Sequence, residues 1–364
     1  MEREEKRYRR VVVKIGSNVL TRKDGSIDST RISSLTDQVA ALYRAGVEVI
    51  LVSSGAVASG RSVITPSKKL DSVASRQLFS AVGQAKLINK YYNLFSEYNI
   101  VCGQVLTTKQ SLSTRDHYLN QKHCMKVMLE NGVVPIINEN DTISVTELMF
   151  TDNDELSGLV ATMMSADALV ILSNIDGLYS GDPKDPASEV IRRVSGDGES
   201  LDQYISTTRS QFGRGGMLTK SRIACKVADE GVEVIIANGK REDILVDLVL
   251  NNEDIICTRF TPSAKPISEL KKWIAHSDGF AKGALKINQG AYEALTTRMA
   301  TSLLTVGVVE VDGEFERDDI ITIISPMGEH IGVGRSSMDS TTARESIGKR
   351  GLKPIIHYDY LYLD

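Results

Sequence analysis

Cysteine is scarce in this 364-residue chain: Cys102, Cys124, Cys225 and Cys257 lie far apart, and no CxxC pair occurs. The five histidines do not gather around them. That spacing excludes a zinc cluster or disulfide scaffold and leaves buried free thiols in a reducing compartment as the expectation. No apolar run approaches the roughly 20 residues of a membrane helix. The start, MEREEKRYRR, is charged throughout and lacks the apolar stretch of a secretory signal. A cytoplasmic protein without a membrane partner is therefore expected. Charge of one sign is lacking too. The net charge is −4, and from Ser277 onward 9 Lys and Arg meet 13 Asp and Glu, so the whole imbalance lies in that segment. Nucleic acid as a partner would call for clustered cations instead. Several motifs are missing as well. No GxxxxGK[ST] loop exists; the nearest stretch, Gly55 to Gly60, continues with Arg61. GxGxxG, HExxH and GxSxG are also absent, which sets aside P-loop NTPases, zincins and α/β-hydrolases.

What is present is an ordinary globular composition, with 41% hydrophobic and 25% charged residues, in a chain long enough for two domains. One local pattern recurs: a helical stretch ends at Gly or Asp, a β-branched apolar run follows, and small polar residues close it. The instances are VEVILV after Gly46, VVPII after Gly132, ALVIL after Asp167 and VEVII after Gly231, with VVVKIGSN at the start. Glycine after a helix suits a left-handed C-cap. Continuous Val, Ile and Leu runs suit strands buried on both faces. Helices are expected at about 29–44, 72–97, 117–131, 154–165 and 219–230. The βαβα order predicts an α/β fold, a mostly parallel open sheet flanked by helices. Ligands of such sheets sit outside the carboxyl ends of the strands, and those ends here are small or polar.

The pattern changes after Cys257. Residues 261–276 read as a linker with a short amphipathic helix, which bounds a domain at 1–260. The remainder, 277–364, reads as a small β-rich, barrel-like domain. Its strands are expected at 303–311, 320–325, 332–334 and 355–358, with a hairpin-type turn at Asp312-Gly313.

Three features carry chemistry. Lys14 stands within an apolar strand just before Gly16; a buried ammonium needs a partner, and next to a glycine turn phosphate oxygen is the natural one. Residues 213–220, GRGGMLTK, form a glycine loop that leads into a helix. Free N–H groups there favour an anion, whereas Lys220 in the first helical turn opposes the helix dipole unless one is bound. Residues 150–155, FTDNDE, hold more acids than an N-cap requires, so a carboxylate that orients the two lysines is expected. Lysines, backbone N–H groups and Mg²⁺ are the parts phosphoryl transfer needs.

At these residues the sequence resembles the amino acid kinase family, in order along nearly the whole chain: VVVKIGSNVL, VSSGAVASG, PIINENDTIS, FTDNDELSGLVA, NIDGLY, GRGGMLTK and IANG. Within that family it looks like the kinases that phosphorylate the γ-carboxylate of L-glutamate, the first step of proline synthesis. The later GALKINQGAYEAL and SLLTVGVVEVDGEF resemble a PUA domain. The resemblance implies ATP, Mg²⁺ and L-glutamate, with γ-glutamyl phosphate as product. It implies Lys14, Asp154 and Lys220 as the catalytic set. It also implies Ser54, Asn138, Asp141 and Asn153 around the acceptor, with Asp141 on the α-ammonium. Lys14, Gly16, Ser173, Asn174, Arg214, Gly215, Gly216, Met217 and Lys220 fall around ATP, and no residue is assigned as a metal ligand. A dimer or tetramer, hand-off of product to glutamyl phosphate reductase, and proline control involving residues 114–121 belong to the same implication.

Two departures stand out: many bacterial members have Thr-Asp in place of Ser173-Asn174, and Thr in place of Arg214. The rival readings are an RNA-binding PUA protein and a related kinase acting on aspartate or N-acetylglutamate. The acidic tail argues against the first, and the acceptor pocket alone separates the second.

Overall fold

The β-branched runs become strands because each is screened from water on both faces. The computed structural model describes residues 8–112, 114–143, 153–183, 185–195, 216–251, 255–264, 268–277, 280–297 and 301–363. Among these, two compact units separate: one holds Met1–Lys109 and Leu119–Pro266, the other Gln110–Tyr118 and Ile267–Asp364.

The first unit opens with β1 (Arg10–Ile15), the short helix α1 (Ser17–Leu20), α2 (Ser29–Arg44), β2 (Glu48–Ser53), α3 (Ala56–Arg61), α4 (Ser72–Ser96) and β3 (Val101–Thr107). It continues with α5 (Arg115–Glu130, whose first turn belongs to the second unit), β4 (Val133–Glu139), α6 (Asn153–Met163), β5 (Ala168–Ser173) and β6 (Arg193–Ser195). Then come α7 (Gly216–Asp229), β7 (Glu233–Asn238) and β8 (Thr258–Thr261). The eight strands form one sheet in the order β3-β4-β2-β1-β5-β7-β8-β6, with every pairing parallel except β7 with β8. This is the expected mostly parallel sheet. The chain turns to one side of β1 for β2 to β4 and to the other for β5 and β7, so β1 and β5 flank the switch point where such sheets bind ligands.

Strand alternation sorts the core. Val11, Val13 and Ile15 join Ile32, Leu35 and Val39 of α2 and Leu87 and Phe95 of α4 in one apolar cluster. Lys14 lies on the other face of the strand, toward α6. Helix ends follow local chemistry. Asp28 and Asp71 cap α2 and α4 by accepting from Arg31 N and Ala74 N. Gly46 and Gly132 take the left-handed conformation, φ 77° and 69°, that returns α2 and α5 to strands. Helices α3 and α4 approach until backbones touch. A Cβ on Gly83 would lie 1.8 Å from Ala56 O, and one on Gly60 would lie 1.9 Å from Phe79 O. That approach sets where the first turns of α4 lie beside the ends of β2 and β4.

The second unit contains α8 (Glu269–Ala275), β9 (Gly283–Ile287), α9 (Gln289–Thr297), β10 (Val308–Gly313), β11 (Ile320–Ile324), β12 (His330–Arg335), α10 (Ser340–Ser346) and β13 (Leu361–Leu363). Its sheet runs β10-β9-β11-β12-β13 around a core that includes Leu285, Ile287, Phe315, Ile321, Ile323 and Ile356. Trp273 donates from its indole to Leu112 O at 3.4 Å, which explains why residues 110–118 group with this unit.

Several expectations are corrected here. Asp312-Gly313 makes no hairpin between neighbours, because β10 and β11 both pair with β9. Residues 355–358 contribute a single bridge, Leu303 with Ile356, rather than a strand. The stretch taken as a linker at 261–276 is divided. Residues 261–264 go with the first unit, whereas α8 goes with the second, because Trp273, Ile274 and Ala275 are buried. Cys124 is exposed rather than buried. Among the described residues no helix is long and apolar enough to cross a membrane.

Candidate active site

The buried lysine finds its partner in a carboxylate of the same chain. Lys14, on β1, is 5% exposed and pairs with Asp154 Oδ1. Lys220, on α7, places Nζ 2.8 Å from Asp154 Oδ2. Each oxygen of one fully buried carboxylate thus meets its own ammonium. Asp154 is the second residue of α6, where an acid suits the positive end of the helix. Gly158, one turn on, lets α7 come close: a Cβ there would sit 2.8 Å from Val227 Cγ2. Burial pulls the Asp154 carboxyl upward, yet the charges of Lys14 and Lys220 outweigh it and hold the group below the usual carboxylate range.

A cavity of about 320 Å³ opens above this set, lined by Lys14, Gly16, Ser173, Asn174, Met217 and Lys220 among others. Gly16 sits close to its neighbours: a Cβ would lie 3.2 Å from Leu172 O, a tight contact, and 3.5 Å from the Lys14 ammonium. The loops after β5 and β7 are tied together by Gly239 N to Ser173 O at 2.8 Å and by Arg241 Nε to Asp176 Oδ1 at 2.7 Å.

A second cavity of about 460 Å³ shares Ser17, Ser54 and Asn153 with the first. It adds Asn138 and Asp141, as well as Glu139 and Arg76, which the sequence reading did not single out. Asn153 Nδ2 donates to Ser54 Oγ at 2.8 Å and to Asn138 Oδ1 at 3.2 Å, so three of the expected acceptor residues form one chain of hydrogen bonds. Asn138 in turn donates to Gln84 Oε1 at 2.9 Å. Arg76 Nε donates to Asp141 Oδ1 at 2.7 Å, and Nη2 reaches Glu139 Oε2 at 3.1 Å. Burial raises the Asp141 carboxyl, and Arg76 only partly opposes it.

The fold therefore brings together Lys14, Asp154 and Lys220, with Gly16, Ser173, Asn174 and Met217 around them. It places Ser54, Asn138, Asp141 and Asn153 next door. Gly216 begins α7. Arg214 and Gly215 lie outside the described residues. Glu139 stood in plain view within the NEND string. Arg76 carried no motif: it is 65 residues from Asp141 in the chain.

Comparison with known proteins agrees with the fold. Residues 9–238 match the amino acid kinase family and residues 283–358 the PUA domain. The chain belongs to the amino acid kinase family. It is 64% identical to a protein named glutamate 5-kinase from Bacteroides thetaiotaomicron, over 98% of this chain and 99% of that one. It is 48% identical to one of the same name from Chlorobaculum tepidum, over 98% of each. Within the family it thus groups with the glutamate 5-kinases. Among solved structures, a carbamate kinase from Giardia lamblia bound to AMP-PNP aligns with a TM-score of 0.51 and 18% identity. That alignment covers 70% of this chain and 99% of the other, and the likeness is one of fold.

Proposed function

We propose that the chain catalyses the glutamate 5-kinase reaction: the γ-phosphoryl group of ATP passes to the side-chain carboxylate of L-glutamate, giving ADP and γ-glutamyl phosphate, the step that commits glutamate to proline. The observation that carries this reading is the pair of lysines on the two oxygens of buried Asp154, at the floor of one cavity and beside a second that holds Asp141. In the first cavity Lys14 and Lys220 neutralise charge on the moving phosphoryl group, with Asp154 setting their spacing. Gly16 and the first turn of α7 admit the phosphates close to backbone N–H groups.

In the second cavity Asp141 takes the α-ammonium of glutamate, and Ser54, Asn138 and Asn153 orient the rest. The γ-carboxylate stays unprotonated and attacks phosphorus in line. The new bond is carboxylate oxygen to phosphorus. The bond to the β,γ-bridging oxygen breaks, and ADP leaves with its electron pair. An ionised carboxylate needs no general base, and no histidine lines either cavity.

Mg²⁺ fits as a companion of the nucleotide. Asp154 is committed to two lysines, and no cluster of three or more metal-binding side chains occurs among the described residues. Held by phosphate oxygens and water, the ion would add neutralisation of phosphate charge. A homo-oligomer, a cytoplasmic setting and delivery of the acyl phosphate to glutamyl phosphate reductase accompany this reading, since an acyl phosphate is easily hydrolysed.

The test is a trapping assay with hydroxylamine, MgATP and L-glutamate, L-aspartate or N-acetyl-L-glutamate in parallel. Hydroxamate with L-glutamate alone supports the reading. Product with another acid moves the substrate, and none with any acid from folded protein overturns it.

A further inference from the structure

The acceptor cavity contains more charge than the transfer step requires. Glu139 ends β4, Asp141 follows it, and both are buried, at 4% and 7% exposure. Arg76 reaches both from the first turns of α4: its Nη2 lies 2.5 Å from Asp141 Oδ1 and 3.1 Å from Glu139 Oε2, and Nε adds a second contact to Asp141. The charged groups lining this cavity are Arg61 from α3, Arg76 from α4, Glu139 from β4 and Asp141 from the turn after it. Arg61 turns its guanidinium onto the Phe79 ring, 5.5 Å from the centroid. Among the described lining residues Arg76 is thus the cation that bridges the two buried acids, and Ser54, Asn138 and Asn153 are neutral. Carboxylates out of water are costly unless cations or hydrogen-bond donors meet them. A small ammonium group adds an ion pair with Asp141; a neutral amide does not.

We propose that Arg76 is a positioning residue that determines acceptor specificity: by bridging Glu139 and Asp141 it keeps Asp141 ionised and aimed, so the cavity takes acceptors with a free α-ammonium group and refuses N-acylated ones. The proposal rests on the kinase reading above. Burial pushes the Asp141 carboxyl up, and the guanidinium is the group that opposes it. Without Arg76, nothing offsets the burial of Asp141; it takes up a proton and loses its hold on the substrate's ammonium. Raising the pH removes that proton and restores the hold.

The experiment uses the full chain and measures KM for L-glutamate, KM for ATP and kcat in wild type, Arg76→Gln and Arg76→Lys from slightly acid to mildly alkaline pH. At neutral pH Arg76→Gln raises KM for L-glutamate by about tenfold or more, the equivalent of one pKa unit. KM for ATP stays within about twofold and kcat within about threefold, because the lysine pair is untouched. Arg76→Lys recovers most of the loss, and KM of the Gln variant falls as pH rises. Should the Gln variant not fold, Arg76→Met and Arg76→Lys read the same split. An unchanged KM for L-glutamate overturns the proposal, as does a raised KM that neither lysine nor alkaline pH lowers. Wild type that makes no hydroxamate from L-glutamate removes the kinase reading and this proposal together. An active wild type with an unaffected Arg76→Gln variant sinks the proposal alone.

Discussion

Two buried carboxylates, Asp154 and Asp141, lie in adjoining cavities, each touched by a cation, and their protonation is pushed in opposite directions. Asp154 meets two lysines and is held below the usual range. Asp141 shares one arginine with Glu139 and is pushed above it. Burial acts the same way on both; the ratio of cations to acids decides the outcome. That ratio also states what each cavity lacks. The lysine end carries one surplus positive charge and suits phosphate. The arginine end holds two buried acids bridged by one guanidinium and suits an ammonium group. An amino acid whose far carboxylate must meet a phosphoryl group is bound between these two ends.

Breaking the lysine end gives the largest effect. Lys220→Ala or Asp154→Asn lowers kcat by about a hundredfold or more, the scale of losing charge stabilisation in a water-poor site. Steady-state turnover at saturating ATP and L-glutamate reads it, and near-normal turnover in either variant would cancel that residue's role. A change in the scaffold comes next. Gly83→Ala puts a Cβ against Ala56 O and should cost about 1–3 kcal/mol as α3 and α4 separate, seen in a denaturant melt. Because α4 carries Arg76, its KM for L-glutamate should rise more than its KM for ATP. Asp141→Asn sharpens the contrast further: KM for L-glutamate rises by about tenfold with little change for ATP, and no recovery follows at high pH.

The smallest effect is on stability against pH. Asp154 titrates lower folded than unfolded, so its contribution is fully present above the ordinary Asp range, at about pH 4. It is lost as pH falls through the lower folded value. The stability difference between wild type and Asp154→Asn should thus be flat from weakly acid to neutral pH and shrink only below that range. A difference that shrinks near neutrality would contradict the two-lysine account.

The lysine end was largely legible in the sequence, and the reasons are local. Lys14 breaks an apolar strand, Lys220 follows a glycine loop, and Asp154 opens a helix, so each stands out against its own neighbours. The pairing of Asp154 with both lysines was expected from the acids of FTDNDE and from the family resemblance; the structure adds that each carboxylate oxygen meets its own ammonium. The arginine end was half legible. Asp141 stood in a polar strand end, whereas Arg76 sits in a long helix where an arginine is unremarkable. Only the touching backbones at Gly60 and Gly83 bring it to the acids. The continuous Val and Ile runs announced the central strands. Strand β3 was missed because it is the sheet edge: Val101, Gln104 and Leu106 are exposed, and its pattern is broken by Gly103. The Asp-Gly pair at 312–313 suggested a hairpin from local turn chemistry, but β9 stands between the two strands it was taken to join.

The most direct test of the division of charge compares L-glutamate with glutarate, the same dicarboxylate without its amino group, in wild type and in Asp141→Asn. The account predicts that wild type favours L-glutamate strongly in kcat/KM, by about tenfold or more. It also predicts that Asp141→Asn loses most of that preference while KM for ATP is unchanged. An Asp141→Asn enzyme that still prefers L-glutamate as strongly as wild type would contradict the claim that Asp141, held by Arg76, is what recognises the acceptor.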